Sequence, residues 1–492
     1  MSREDSPSWL LPAVVLLTAV LVGWSVLAAS QALARNFNLF LYLMANLIVF
    51  MDVFDFILRL YFRRLHAVAQ PEYRFGTSIA LDIGPYSSYQ KRLHLRPYAL
   101  VVSVYNAEDH IDDFLEAMEP YREHLWIIDD ASSDNTCGRI RQAGYRILEG
   151  GTNRKKPGAI RELLERLPAE IDTVMVLDPD ITIRDSQEGE MSHLENVIFD
   201  FQRSGMAAAC PRISIRQDGF LARLQGMEYC MSFSLGRMSL ADHGINSGIS
   251  IYRRSALTST FRQHSLSVYA EDLENSAILL GGGERIYCDA RLVVETEGKP
   301  TWRSWFSQRV GWGFGLIKVY SERFREIRRA AGNQLNTLYQ FLIYLGGFTL
   351  LLHPLKIFTL ALLSLSIAKC FDTLFGIGVI PNWGAAEPVY FLAAYAKFTL
   401  LAGAALIAAV PKGERLYVLP VVPLYFFYSL AQIVPATVGY ADWLSLKLWG
   451  RRIWGDHYQE ERSLLRQHQQ NRLAKALPKT LPKALPKSLE VE

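Results

Sequence analysis

Thr173-Val174-Met175-Val176-Leu177-Asp178-Pro179-Asp180 decides how this chain is read. Five apolar or β-branched residues make a buried strand, and the run stops on two carboxylates one residue apart. A second junction of this kind lies upstream, where Leu125-Trp126-Ile127-Ile128 ends in Asp129-Asp130-Ala131-Ser132-Ser133-Asp134. Between Pro97 and about Pro300, β-rich runs (Tyr98 to Val104, Leu125 to Ile128, Thr173 to Leu177, Arg285 to Tyr287) alternate with helical stretches (Ile111 to Met118, Gly158 to Leu167, Leu194 to Arg203). Such alternation predicts an α/β domain with a mostly parallel sheet, whose ligand sites gather at the C-terminal ends of strands. Asp129 and Asp178 each stand at such an end.

Outward from this core the composition changes. With 50% hydrophobic residues in 492 and a mean hydropathy of +0.08, the chain is too apolar to be wholly water-soluble at this size. A net charge of only +3 gives no global field for nucleic acid, so no nucleic-acid partner is expected. The five cysteines are widely spaced with no CxxC pair, which favours reduced thiols in a cytosolic domain over a disulfide framework or zinc site. The apolar runs Trp9 to Ala29 and Asn38 to Tyr61 predict an uncleaved N-terminal transmembrane hairpin over 1–66, followed by a linker over 67–96. Asp52 and Asp55 sit near the end of the second run, where Arg59, Arg63 and Arg64 can pair with them at the interface. Those arginines outweigh the single Arg35 before the run, so the positive-inside rule places the α/β domain, 97–300, in the cytosol of a multi-pass protein of the cell (inner) membrane.

From Thr301 to Arg329 the sequence is aromatic and basic, with Trp302, Trp305, Phe306, Trp312 and Phe314 among seven lysines and arginines including Arg303 and Arg309. This predicts amphipathic helices on the membrane surface over 301–333. Four further apolar runs follow, Leu335 to Leu352, Ile357 to Ile380, Val389 to Val410 and Leu416 to Val438. With a break at His353-Pro354 they become four spans within 334–442, forming a channel; the basic tail, 443–492, then ends in the cytosol and Pro411 to Arg415 lies outside. The Leu-Pro-Lys repeats at Leu477, Leu481 and Leu485 predict a partly disordered cationic tail, with attraction to anionic lipid as the sharper alternative.

The chemistry lies in four segments. Asp129 and Asp130 can hydrogen-bond a nucleotide's base and ribose, and Asp178 with Asp180 supplies hard oxygen ligands for Mg²⁺ or Mn²⁺ on a diphosphate. Between them Asn153-Arg154-Lys155-Lys156-Pro157-Gly158 offers cations and a helix start to phosphate. Ala270-Glu271-Asp272 brings a later acidic pair suited to general-base work, and Gln308-Arg309-Val310-Gly311-Trp312 closes the series.

In this order the segments resemble membrane-integrated family 2 glycosyltransferases, the group of cellulose, chitin and hyaluronan synthases. The resemblance runs from about Tyr98 to Tyr320 and includes Val102 to Glu108, Arg154 to Gly158, Glu228 to Phe233 with Arg237, and Asn246 to Leu257. It implies a GT-A-like α/β domain inserted between two N-terminal and about four C-terminal transmembrane helices. It also implies roles. Asp129, Asp130, Lys156, Asp178, Gln308 and Arg309 would hold the nucleotide; Asp178 and Asp180 would carry the metal. Asp272, beside Glu271, would be the base of an inverting displacement, and Trp312 would stack on the acceptor sugar. The family pattern QxxRW has arginine where this chain has Gly311, a gap that Arg309 or Arg303 is expected to fill.

The implied function is processive: a UDP-sugar extends a β-linked polysaccharide at the cytosolic face, which the helices then export, with export or regulatory proteins as further partners. One alternative is transfer of a single sugar to a lipid acceptor. Another is a silent membrane scaffold, which Asp129, Asp178, Asp180 and Asp272 together argue against. Which sugar is used is not legible.

Overall fold

The computed structural model describes residues 56–63, 86–188, 191–215, 218–240, 242–267, 269–331, 347–379, 388–408 and 410–454. The predicted span Trp9 to Ala29, Asp52 and Asp55, and the Leu-Pro-Lys repeats lie outside them.

The α/β domain opens with α1 (Ser88–His94), β1 (Tyr98–Val104), α2 (Ile111–Ala117), β2 (Leu125–Asp129), α3 (Thr136–Gln142), β3 (Ile147–Glu149), α4 (Lys155–Arg166), β4 (Thr173–Leu177) and β5 (Ile181–Arg184). A two-stranded hairpin of β6 (Gln187–Glu188) and β7 (Met191–Ser192) follows. Then come α5 (His193–Arg203), β8 (Ala208–Ser214), α6 (Phe220–Tyr229), β9 (Ser250–Arg253), α7 (Arg254–Phe261), α8 (Glu271–Gly281) and β10 (Ile286–Thr296). Eight strands form one sheet in the order β3-β2-β1-β4-β9-β8-β10-β5.

The predicted strands and helices of this region are present, and the sheet is mostly parallel, with two strands reversed. β3, β2, β1 and β4 are parallel, whereas β9 runs against both β4 and β8, and β5 runs against β10. Apolar periodicity reports that a segment is a strand, not which way it runs. Because side chains alternate across a strand, the sheet feeds two cores. Leu100, Val102 and Met175 face Phe114 of α2 and Phe201 of α5; Ala99, Val101 and Val174 face Leu163 of α4, Leu257 of α7 and Ala277 of α8. All five cysteines are free, as predicted.

α9 (Trp302–Glu322) and α10 (Phe324–Ala331) follow, then α11 (Gly347–Leu374), α12 (Pro388–Ala408), α13 (Lys412–Val418), a 3₁₀ turn (Leu419–Leu424) and α14 (Tyr425–Trp449). Two expectations about this half are corrected. First, α11 does not break at His353-Pro354 but runs through Pro354. A helical proline costs about 3 kcal/mol, and tertiary contacts here offset it: His353 bonds the Thr437 hydroxyl at 2.8 Å and packs edge-on against Tyr440 at 4.5 Å between centroids.

Second, Pro411 to Arg415 is not on the face opposite the α/β domain. Glu414 is buried, pairs with Arg212 of β8 at 2.8 Å and accepts from the Cys230 thiol at 3.2 Å. Charge counting cannot see a partner so distant in sequence. The predicted span Leu416 to Val438 divides among α13, the 3₁₀ turn and α14.

Among the described residues one stretch, Lys412–Trp449, has the length and mean hydropathy (1.6) to cross a membrane. Yet α14 lies parallel to α9 along its length. Trp305 donates to the Tyr428 hydroxyl at 2.8 Å near one end, and Lys447 reaches Glu322 at 2.9 Å near the other. Glycine makes the approach possible: a Cβ on Gly313 would come within 2.9 Å of the Ala436 carbonyl. At the N-terminal side, residues 56–63 are helical; Phe56 packs with Ala402 and Leu406 and Arg63 donates to the Ala408 carbonyl at 3.0 Å.

Candidate active site

The ends of β2 and β4, the start of α4 and the start of α8 converge on one cavity of about 1760 Å³, whose other wall is α9, α11, α12 and α14. Asp129 ends β2, level with Val104 of β1 and Glu149 of β3. Its Oδ2 accepts from the Ser132 amide at 3.0 Å, while Oδ1 is buried with no hydrogen-bond partner among the described residues. Burial raises the Cys137 thiol, which lies close enough to this carboxylate to be raised by it as well. Asp130 takes the Arg154 amide at 2.6 Å, tying the strand end to the start of α4, and burial raises its pKa.

Lys156, in the first turn of α4, is the hub of the charges. Its Nζ lies 2.5 Å from Asp178 Oδ1 and 2.8 Å from the Gly248 carbonyl, with Glu271 at 3.6 Å. Burial works against the ammonium, but Asp178 and Glu271 outweigh it and hold it charged. Gly248 is required by this closeness, since a Cβ there would sit 3.0 Å from Asp178 Oδ2 and 3.2 Å from Lys156 Nζ.

The carboxylates are crowded. Burial, then the charge of Asp178, pushes Asp180 up to about 6; burial, then the neighbouring Asp272 and Asp178, pushes Glu271 up to about 8 against the pull of Lys156. Asp272 is raised as well, mainly by burial, with Arg237 opposing. Ala270 in the left-handed region (φ 56) begins α8 and sets Glu271 and Asp272 in its first turn.

Asp178 and Asp180 fit a divalent cation. They are hard ligands one residue apart, both at the cavity. Among the described residues no group of three or more His, Cys, Asp or Glu forms a complete cage. Phosphate oxygens and water would therefore have to complete the shell, as Mg²⁺ prefers.

At the other end of the cavity the structure departs from expectation. Arg309 does not stand free to replace the missing cation. Its buried guanidinium is held by Glu228 at 2.6 Å, bonds Gln308, and lies 3.9 Å from the centroid of Trp312. Trp312 is 44% exposed and lines the cavity. Gly311 faces Tyr269, whose ring atoms lie 3.2 and 3.3 Å from where its Cβ would stand. Glycine is there because α9 passes close to an aromatic ring.

All the predicted site residues except Asp129 line this cavity. Asp129, at the adjoining strand end, is joined to it through Asp130. Three functional positions had no role assigned in advance. Glu228 holds Arg309. Arg237, following a π-helical turn (Cys230–Gly236), stacks on Phe233 at 4.4 Å and donates to the Ile245 carbonyl at 2.8 Å, close enough for its charge to lower Asp272. Lys299 does the same for Asp180; nothing in its local sequence signals this.

Residues 99–261 match the model of glycosyl transferase family 2. The class defined by fold and site is a glycosyltransferase. The segment that matches family 2 runs from β1 to α7 and contains Asp129, Lys156, Asp178 and Asp180 but stops short of Glu271, Asp272 and Trp312.

Similar solved structures include a mannosyltransferase from Pyrobaculum calidifontis in complex with GDP-mannose and Mn²⁺, 16% identical, with 84% of this chain and 100% of that one covered, at a TM-score of 0.47. Glucosyl-3-phosphoglycerate synthase from Mycobacterium tuberculosis, in complex with Mn²⁺, UDP-glucose and phosphoglyceric acid, is 14% identical, with 50% of this chain and 88% of that one covered, at 0.33. Likenesses this distant carry no argument about substrate. No curated protein sequence matches the chain.

Proposed function

We propose that the protein transfers a sugar from a nucleoside-diphosphate sugar to an acceptor hydroxyl presented at a membrane surface, inverting the anomeric carbon. The observation that carries this reading is the convergence of Asp178, Asp180, Asp272 and Trp312 on one cavity. Asp129 offers its carboxylate to the nucleoside, and Lys156 meets phosphate charge from the start of α4. Asp178 and Asp180 would hold Mg²⁺ or Mn²⁺, which when bound neutralises the charge of the departing diphosphate. Asp272 takes the acceptor's proton as the new C–O bond forms, and the nucleoside diphosphate leaves with the electrons of the bond that breaks. Burial raises its pKa, and the Arg237 charge works against that rise and so favours the carboxylate form that a base needs.

The donor is read as a UDP-sugar, and the domain as facing the cytosol at the cell (inner) membrane. Lipid contact is supported by the apolar side chains that the helices leave bare, among them Leu374, Val379, Leu400, Ile407 and Leu416, each at least 70% exposed. Transfer of one sugar to a lipid-borne acceptor is favoured, because the cavity wall facing the carboxylates contains Phe398, Leu401, Phe426, Leu430 and Ile433. Processive growth of a β-linked polysaccharide is the second reading; the exposed Trp312, with Arg309 against it, offers an aromatic face to a terminal sugar.

The test is to incubate membrane-reconstituted protein with UDP- and GDP-sugars and Mg²⁺ or Mn²⁺, measuring nucleotide release and product mass. One glycolipid supports the first reading and a ladder the second. No nucleotide binding or release with any donor overturns both.

A further inference from the structure

At the end of α14 the chain turns back on itself, and one buried carboxylate fixes the turn. Asp442, fully buried, accepts the Ile453 and Trp454 amides on Oδ1 at 2.7 and 3.1 Å and the Arg452 Nε–H on Oδ2 at 2.6 Å. Gly450, in the left-handed region (φ 67), permits the reversal. The outcome is a guanidinium 3% exposed, lying 4.2 Å from the Phe314 centroid and 5.4 Å from that of Tyr269.

Arg452 and Trp454 both line the cavity that holds the carboxylates. Arg452 Nη1 and Trp454 Nε1 are both buried, and neither has a hydrogen-bond partner among the described residues. Other buried donors among the described residues lack a partner too, Trp443 Nε1 and Arg309 Nε among them, but these two stand two residues apart in the chain on side chains that line the cavity, where a ligand's acceptor can meet them. The place is telling: Tyr269, which Arg452 covers, is the ring that Gly311 makes room for. Lys356 of α11 and Arg303 of α9 line the same cavity and add positive charge.

We propose that Arg452 and Trp454 form a second anion subsite, which takes a phosphate oxygen through Arg452 Nη1 and Trp454 Nε1. The ligand is a phosphate ester: Asp442 balances the charge of Arg452 from one side, while two N–H donors, with Lys356 and Arg303 on the same cavity, favour an acceptor with several anionic oxygens. The phosphate belongs either to a lipid-borne acceptor or to the nucleotide. This subsite rests on the sugar-transfer reading for its role, but its occupancy can be measured without any transfer.

The experiment is equilibrium binding to the detergent-purified full chain of three probes: dodecyl phosphate, inorganic phosphate, and UDP with Mg²⁺, with dodecanol as the uncharged control. Wild type is compared with Trp454→Phe, which removes the N–H together with one ring of the indole but keeps an aromatic face for Phe306, and Arg452→Lys, which keeps charge but loses the fork. Loss of a hydrogen bond to a charged group should weaken the phosphate concerned roughly ten- to a hundredfold. Weakening of dodecyl phosphate alone assigns the subsite to a lipid acceptor. If inorganic phosphate weakens as well, the lipid chain adds little; if UDP alone weakens, the subsite is the donor's.

Unchanged binding of all three probes in Trp454→Phe, folded by its melting curve, overturns the subsite even if Arg452→Lys does not fold. So does a wild type that binds dodecanol as well as dodecyl phosphate. If wild type binds dodecyl phosphate but releases no nucleotide from any donor, the sugar-transfer reading falls and the subsite stands.

Discussion

The two ends of the cavity are built by different means. At the end formed by Asp129, Lys156, Asp178 and Asp272, charged side chains stand at strand ends and helix starts, each placed by its own local segment. At the Trp312 end, positions depend on partners far away in sequence: Arg309 on Glu228 and Tyr428, Gly311 on Tyr269, Arg452 on Phe314. Local pattern specifies chemistry well, whereas shape around an acceptor is made by packing.

The contrast can be broken first at the carboxylate end. Asp272→Asn should reduce transfer by ~10²–10⁴-fold, the usual contribution of a general base, while nucleotide binding with Mg²⁺ persists. Turnover near wild type would remove Asp272 from its role. Next in size is Arg309→Ala. It leaves Glu228, a mostly buried carboxylate, without its cation, and such a loss costs about 3–5 kcal/mol. Lowered stability in denaturant unfolding, with donor affinity retained by the folded fraction, is expected; lost donor affinity at unchanged stability would return Arg309 to the nucleotide.

Gly311→Arg should cost about 1–3 kcal/mol by overpacking against Tyr269, and Tyr269→Ala in the same chain should recover part of it. If the single variant is as stable as wild type, the close approach at this position is not what requires glycine.

The smallest effect is on pH dependence. Asp180 and Glu271 are raised to about 6 and about 8, so the folded protein keeps protons that the unfolded chain releases. Their contribution to stability is full below about pH 4 and is lost as pH rises toward 8. Without divalent metal the melting temperature should therefore fall from pH 5 to pH 8, and Glu271→Gln should flatten the slope. A slope of opposite sign would show that these groups are not held protonated by their surroundings.

Much of the carboxylate end was legible beforehand. An apolar run that ends in Asp178-Pro179-Asp180 announces a strand and its cargo together, and the observed β4 begins and ends where the pattern places it. The direction of β9 was hidden, because four residues from Ser250 to Arg253 look alike whichever way they run. The helical half was read from hydropathy and charge alone, which register lipid and water but not a neighbour. Pro354 looked like a break only while Thr437 and Tyr440 were not known to stand beside it. Gly311 looked like a deficit because its Tyr269 neighbour lies 42 residues earlier, in a different element.

The Arg212–Glu414 pair joins residues 202 positions apart, which gives the protein a timetable. At ~5–20 residues per second, a ribosome needs about 10–40 s to travel from one partner to the other. During that interval the nascent α/β domain holds an arginine whose counter-ion has not been made, beside apolar residues of α6 that have no cover. The growing chain must shelter that face until Glu414 arrives, so the interval is the period when a chaperone would find the most to hold. A prematurely released fragment ending before α13 would carry every carboxylate of the site and lack the lock that closes it.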